Sequence, residues 1–215
     1  MRKRRKLGIL LGITVLLLVA IASGMHIAKI NKKSTIYDVD KITLNDVENG
    51  DIVIQVGTEE LTKEEVKQAE KAINYLKKGN MKLTAIEKDP IDQAIRRKIS
   101  LKEADERNIV MSEQRVKDFT EVATGMYENT DKTQNREEYI EYMTQKQLDD
   151  ERETLFLTEI QMDIVQGKFE CNDPTVQRKL KEFKIVHTGS KLGEICDAYI
   201  EYLAKTKYNV RYDSE

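Results

Sequence analysis

The amino-acid sequence predicts a mainly α-helical protein, with an N-terminal transmembrane helix, a helical body and a small two-stranded β ribbon that pairs the first and last strands of the body. Three observations predict this. A basic run and an uncharged apolar stretch begin the chain, helix-start motifs recur along the body, and short β-rich runs lie at both of its ends. The composition agrees, because 34% charged and 6% aromatic residues, with only two Pro among 215 residues, favour long helices with solvated faces.

The N-terminal segment has the pattern of a membrane anchor. Residues 2–6 are all basic, and residues 7–28 carry no formal charge apart from a titratable His26. As a helix with a rise of ~1.5 Å per residue, this stretch would span roughly 33 Å, which matches the hydrocarbon core of a bilayer. The five basic residues before the stretch outnumber the three Lys residues that follow it at positions 29–33. This bias predicts a cytoplasmic N-terminus and an extracytoplasmic body.

A cleaved signal peptide is the alternative interpretation of the same segment. Ala20-Ile21-Ala22 is a small-x-small pattern directly after the apolar core, as at a signal-peptidase site. Cleavage near Ala22 would release a secreted protein, whereas an anchor would keep it in the cell membrane as a single-pass protein. Both interpretations place the body outside the cytoplasm. The chain is thus divided into residues 1–28 (basic tip and anchor), 29–50 (polar tether) and 51–215 (helical domain).

The first strand and the first long helix of the body have the clearest local signals. Residues 51–57 form a β-rich run closed by glycine, which predicts a strand followed by a turn. Thr62 and Glu65 have the spacing of a capping box, in which each side chain accepts a hydrogen bond from the backbone N–H of the other residue. Leu61 and Val66 flank this box at the spacing of a hydrophobic staple. A helix is therefore predicted to begin here.

Five further helices are predicted from their apolar residues, and three of them have a capping residue before the first turn. Two of these starts place Pro at the first helical position, where its missing N–H costs least. The predicted starts are Asp89-Pro90, Ser112, Arg136, Asp173-Pro174 and a point after Ser190. Residues 208–212 alternate apolar and polar, which predicts a half-buried strand, and we expect it to pair with residues 52–56. A two-stranded ribbon is marginal in water, so it should rest on the helices.

Charge and motif content exclude several classes of function. Residues 34–215 hold 28 basic and 38 acidic side chains, and this net charge of −10 disfavours nucleic acid as a partner. No Walker A, G-x-S-x-G, H-E-x-x-H or dinucleotide-binding motif is present, and His187 is the only His of the body. We therefore expect no enzyme activity, no metal and no cofactor. Cys171 and Cys196 are compatible with a disulfide outside the cytoplasm or with two small buried thiols.

Three stretches of the body together have the pattern of a known family. Residues 51–66 form a strand, a turn and a capped helix start, and residues 91–116 form a helix, an Asn stop and a Ser-capped helix. Residues 198–212 form a closing helix and strand. This pattern resembles the SurA/PrsA family of extracytoplasmic chaperones, over residues 51–128 and 190–213. The resemblance implies a fold like the SurA N-terminal domain, whose terminal strands pair and whose helices form an apolar concavity for extended or unfolded chains.

The prolyl-isomerase domain of that family has no counterpart in this sequence. Many members carry a parvulin domain before the closing helix, and Lys184-Ile185-Val186-His187 is faintly similar to its entry strand. Only 28 residues follow His187, whereas an autonomous domain needs at least about 40. The resemblance therefore implies the chaperone part without isomerase activity.

These arguments predict a membrane-tethered holdase or folding factor that binds unfolded or extended exported polypeptides. Met suits surfaces that accept many partners, and Tyr offers apolar area with a polar tip, although helix packing explains both residue types as well. The candidate peptide-binding residues are Met126, Tyr139, Tyr142, Met143, Phe156, Tyr199 and Tyr202. The alternative function is that of a single-pass membrane adaptor or structural protein that docks one dedicated partner.

Overall fold

Seven helices and three short strands make up the part of the chain that the structure describes. In this computed structural model the described residues are 42–50, 52–78, 89–130 and 135–214, and they belong to one unit, residues 40–215. The helices are α1 (Leu44–Asn49), α2 (Lys63–Lys78), α3 (Pro90–Glu106), α4 (Glu113–Glu128), α5 (Arg136–Val165), α6 (Pro174–Ile185) and α7 (Gly189–Thr206), and the strands are β1 (Ile52–Val56), β2 (Glu59–Glu60) and β3 (Arg211–Ser214). The predicted mainly helical class is confirmed.

The first and last strands pair, as the sequence predicts. β1 lies in the middle of an antiparallel sheet of order β2-β1-β3, and Val53 lies opposite Asp213. Two details of the prediction are wrong. The sheet has three strands instead of two, because the chain after Gly57 turns back to place Glu59 opposite Val56. The last strand begins at Arg211 instead of Tyr208, because the chain first has to leave α7.

That exit from α7 explains the later start of β3. The N–H of Tyr208 donates to the carbonyl of Leu203 at 3.0 Å, and the N–H of Val210 donates to that of Ala204 at 3.0 Å. Asn209 between them has a φ of 41°, in the left-handed region that Asn tolerates better than most residues. These contacts satisfy carbonyls at the end of the helix, so Tyr208 to Val210 form a helix terminus and not a ladder.

Most of the predicted helix starts are confirmed by their capping geometry. α7 is the exception, because it begins at Gly189, before the predicted point, and Thr188 makes no side-chain capping hydrogen bond there. Thr62 Oγ1 accepts from the N–H of Glu65 at 3.2 Å, and Glu65 Oε2 accepts from the N–H of Thr62 at 2.6 Å. Asp89, Ser112 and Asp173 each accept backbone N–H groups at the first turn of their helices. Each cap satisfies donors that have no partner inside the helix, and the motif is complete within four residues.

The core lies around α3 and one half of α5. α3 packs against α2, α5, α7 and β1, and it buries Ile91, Ile95 and Ile99 on its apolar face. α5 continues unbroken for 30 residues, and it packs against α4 along its first half. Its second half joins α6 and α7 in a core cluster that includes Phe156, Ile160, Ile164, Val176, Phe183 and Ile195. α4 is thus attached to the body mainly through α5.

The start of the ordered body differs from the predicted tether. Residues 44–49, assigned to the tether, form α1, with the Thr43 and Asp46 side chains as a capping box and Val47 buried. The predicted anchor, residues 7–28, and the tether up to residue 41 lie outside the described residues. Among the residues that are described, no helix is both long and apolar enough to cross a bilayer.

Candidate functional site

Three apolar side chains of α4 remain open to solvent. Val116, Val122 and Met126 are 38%, 50% and 42% exposed, and we call these three residues the α4 stripe. Only Ala123 and Tyr127 of this helix are buried. A surface helix normally turns such residues towards a core, so an exposed stripe is typical of a site that contacts another molecule.

α4 and the first half of α5, up to Glu151, form an antiparallel hairpin that is held at both ends. Near the start of α4, Arg115 Nε lies 2.7 Å from Glu151 Oε2. Near its end, the rings of Tyr127 and Tyr139 have centroids 5.5 Å apart. These contacts fix the spacing of the two helices and leave their outer surfaces free.

A groove runs between the two helices of this hairpin. The hairpin groove has a volume of about 480 Å³, and it is lined by Val116 and Thr120 of α4 and by Ile140, Glu141, Thr144 and Leu148 of α5, among others. Thr144 is only 8% exposed, and its Oγ1 has no hydrogen-bond partner among the described residues. Positions 140, 144 and 148 are one turn apart, so they form one wall.

Four of the seven predicted peptide-binding residues lie on the hairpin. Met126 belongs to the α4 stripe, and Tyr139, Tyr142 and Met143 lie on the first turns of α5. Both Tyr residues line a second cavity of about 460 Å³ together with Glu64 of α2.

Tyr142 connects the hairpin to α2. Its hydroxyl accepts a hydrogen bond from Gln68 Nε2 at 2.7 Å. Desolvation and the nearby Glu64 raise the pKa of Tyr142. The phenol therefore stays protonated at neutral pH, and it presents an exposed ring with a fixed polar tip.

The other three predicted residues lie elsewhere. Phe156 is fully buried in the core cluster, so its assignment to a binding surface is wrong, because no part of its ring can reach a ligand. Tyr199 packs edge-on against Phe169 at 5.0 Å and stacks with Tyr202 at 6.3 Å. Both Tyr residues pack against the α6–α7 side of the core and are not on the hairpin.

Comparisons of the chain with family models, curated proteins and solved structures found no match. The functional argument therefore rests on the hairpin itself. The sequence-based site omitted the groove residues, although their signal was present. Val116 with Thr120, and Ile140 with Thr144 and Leu148, recur at four-residue intervals on two consecutive helices.

A smaller cavity between α2, α3 and α5 is a network of ion pairs. It measures about 210 Å³ and contains Arg97, Lys98 and Lys146. Lys98 lies 2.8 Å from Glu65, while Arg97 and Lys146 both bind Asp150. Desolvation opposes the ionisation of Asp150, but the hydrogen bonds from Lys146 and Arg97 outweigh it and lower its pKa. Its cations are therefore paired with carboxylates, and the ion pairs of Lys98 and Arg97 connect α2, α3 and α5.

Proposed function

We propose that the protein is a membrane-tethered extracytoplasmic holdase that binds non-native exported polypeptides without isomerising them. The α4 stripe is the observation that carries this proposal, since an exposed apolar surface on a helix that packs mainly against α5 can accept the apolar side chains of an unfolded chain. The groove beside the stripe and the Tyr142 ring extend the same surface.

The expected strength of binding suits transient capture. Burying apolar area is worth roughly 25 cal/mol per Å², so a client side chain that covers part of the stripe gains on the order of 1 kcal/mol. An unfolded client loses chain entropy when it binds, which cancels much of this gain. Several such contacts together would give weak, exchangeable binding without ATP. The unbranched side chain of Met126 adds tolerance for clients of different shape.

The fold is compatible with the family resemblance, because the terminal strands pair and the helices begin where that pattern requires. Fold alone does not fix function, however, so the hairpin surface has to be tested directly.

Suppression of aggregation tests the proposal. The full chain, in nanodiscs of zwitterionic lipid, is mixed with a denatured model enzyme that is diluted into buffer, and light scattering is followed. We expect suppression at a near-stoichiometric ratio. The triple variant Val116→Ser/Val122→Ser/Met126→Ser should lose most of it.

The matched control is Val165→Ser/Ile185→Ser, since both residues are exposed and apolar but lie off the hairpin. The control should suppress aggregation as the wild type does. No suppression by the wild type at several-fold molar excess, or an equal loss in both variants, would contradict the proposal. Crosslinking in cells distinguishes the holdase from the adaptor. Many crosslinked clients would favour the holdase, and one stoichiometric partner would favour the adaptor.

A further inference from the structure

We infer that the hairpin groove selects client segments in which an apolar residue lies next to a Lys or Arg. This inference rests on the proposed function and names the class of segment that the site takes. Three features of the groove carry it: apolar walls, unpaired carboxylates at one end, and a buried hydroxyl between them.

The apolar walls set the first requirement. Val116 lies on the α4 side of the groove, and Ile140 and Leu148 lie on the α5 side, two turns apart. The volume of about 480 Å³ falls within the ~300–1,000 Å³ that is typical of ligand pockets. The groove is open to solvent, so it can receive a side chain from an extended segment that lies across it.

The carboxylates set the second requirement. Glu137 and Glu141 line the same groove, one turn apart on α5, and both are exposed. Arg136 also lines the groove and lies 3.7 Å from Glu128, and no cation among the described residues forms an ion pair with Glu137 or Glu141. The lining thus holds two carboxylates and one guanidinium, a net charge of −1, so a Lys or Arg of the client would be attracted and a client Asp or Glu would be repelled.

The charge of the whole hairpin acts in the same direction. Residues 113–130 and 135–151 contain ten acidic and four basic side chains, a net charge of −6. This field attracts cationic segments before contact, and salt weakens it. It also disfavours a second copy as the occupant of the groove, because two hairpins with this charge would repel each other.

Thr144 supplies the polar contact between these two requirements. It lies one turn from both Ile140 and Leu148 and three positions from Glu141, and its Oγ1 has no hydrogen-bond partner among the described residues. A buried hydroxyl without a partner gains when one arrives. A backbone amide of the client can form this hydrogen bond, which would orient the segment whatever its side chains are.

Binding of matched peptides tests the inference. Fluorescence anisotropy is measured for four labelled peptides that differ at one dipeptide, Leu-Lys, Leu-Gln, Leu-Glu or Gly-Lys, with the full chain in zwitterionic nanodiscs and empty nanodiscs as background. We expect the Leu-Lys peptide to bind about five-fold tighter than the Leu-Glu peptide, as one surface ion pair allows. The affinity of the Leu-Gln peptide should lie between those of the Leu-Lys and Leu-Glu peptides, and the Gly-Lys peptide should bind more weakly than the Leu-Lys peptide.

Two double variants locate the effect. Glu137→Gln/Glu141→Gln should bring the Leu-Lys and Leu-Glu affinities within two-fold of each other. Glu113→Gln/Glu170→Gln, which removes the same charge at exposed positions outside the groove lining, should keep most of the difference. Equal affinities for Leu-Lys and Leu-Glu in the wild type, or the same difference in the groove variant, would overturn the inference.

The outcomes separate the two proposals. Aggregation suppression that depends on the α4 stripe, together with peptide binding that ignores charge, would leave the holdase assignment intact and reject only the selectivity. If the protein neither suppresses aggregation nor binds the peptides, both proposals are rejected. Sedimentation tests for a second copy in the groove. A concentration-dependent dimer that Ile140→Ser abolishes and that the Leu-Lys peptide leaves unchanged would assign the groove to a second copy, and it would overturn the inference.

Discussion

The hydroxyl of Tyr208 donates a hydrogen bond to Glu103 across 3.0 Å, and this joins the segment before the last strand to the central helix α3. Lys207 Nζ lies 2.6 Å from the same carboxylate, which is 4% exposed. The carbonyl of Tyr208 also accepts from the N–H of Gly57 at 2.7 Å. The buried carboxylate thus holds the chain where β3 can reach β1.

Replacing Glu103 with Ala should strongly destabilise the protein. The Tyr208 hydroxyl would stay buried without its acceptor, and Lys207 would lose a partner, so we expect a loss of about 2–4 kcal/mol in the free energy of unfolding. Urea denaturation measures this. Lys205→Ala removes the exposed pair with Glu201 and should change stability by less than about 0.5 kcal/mol. Equal effects of the two substitutions would show that the Glu103 contact adds nothing.

The same contact predicts a loss of stability at high pH. Desolvation, followed by the charge of Glu103 and its hydrogen bond, raises the pKa of Tyr208. A raised pKa in the folded state means that the contribution is complete below about pH 10, the ordinary Tyr value, and declines as the pH rises further. Urea unfolding at pH 8 to 11 should therefore show a steeper decline for the wild type than for Tyr208→Phe. Parallel curves would contradict this assignment.

Gly57 is required by backbone conformation. Its φ is +68°, and a Cβ added there would meet Tyr208 Cδ1 at 3.5 Å, an ordinary contact. The cost of Gly57→Ala should therefore come from the backbone and amount to about 1–2 kcal/mol. Gly125→Ala is the matched control, because Gly125 lies inside α4 with nothing within 4 Å of its Cβ position. Gly125→Ala should stabilise the protein by up to about 1 kcal/mol. In thermal unfolding, the Tm should therefore fall for Gly57→Ala and rise for Gly125→Ala.

Local motifs were predictable from the sequence because they are decided within a few residues. Thr62 with Glu65, Asp89-Pro90 and Asp173-Pro174 each contain the cap and the helix start together, and no distant contact is needed. The left-handed Asn108 after α3 is of the same kind, with a φ of 56°.

The exposed site depends on contacts that the sequence does not encode locally. Leu155 and Phe156 are adjacent and both apolar, yet only Phe156 faces the core, and the packing of α6 and α7 determines which one does. The α4 stripe has the spacing of a buried face, and it is open because α4 packs mainly against α5. Such features require the arrangement of whole helices.

Truncation of Phe156 should therefore lower stability, whereas truncation of Met126 should lower client binding. Phe156→Ala removes a fully buried ring, which typically costs about 3–5 kcal/mol. Met126→Ala changes an exposed side chain and should alter stability by less than about 0.5 kcal/mol. Urea denaturation measures stability, and the fluorescence anisotropy of an unfolded client measures binding. Among folded proteins, Met126→Ala should bind the client more weakly than the wild type, and Phe156→Ala should not. A large stability loss in Met126→Ala would show that its side chain is part of the core.

Cys171 and Cys196 are free thiols in one core cluster, so the structure favours the buried-thiol interpretation over the disulfide. Burial, with a smaller contribution from Asp197, raises the pKa of Cys196 to about 11, and burial also raises the pKa of Cys171. Because the thiolate is the reactive form, about one Cys196 in a thousand would be reactive at pH 8. Iodoacetamide should therefore label the native protein slowly, and it should label both residues within minutes in urea without reductant. Mass spectrometry reads out each site, and protection of both residues in urea until a reductant is added would show that they form a disulfide.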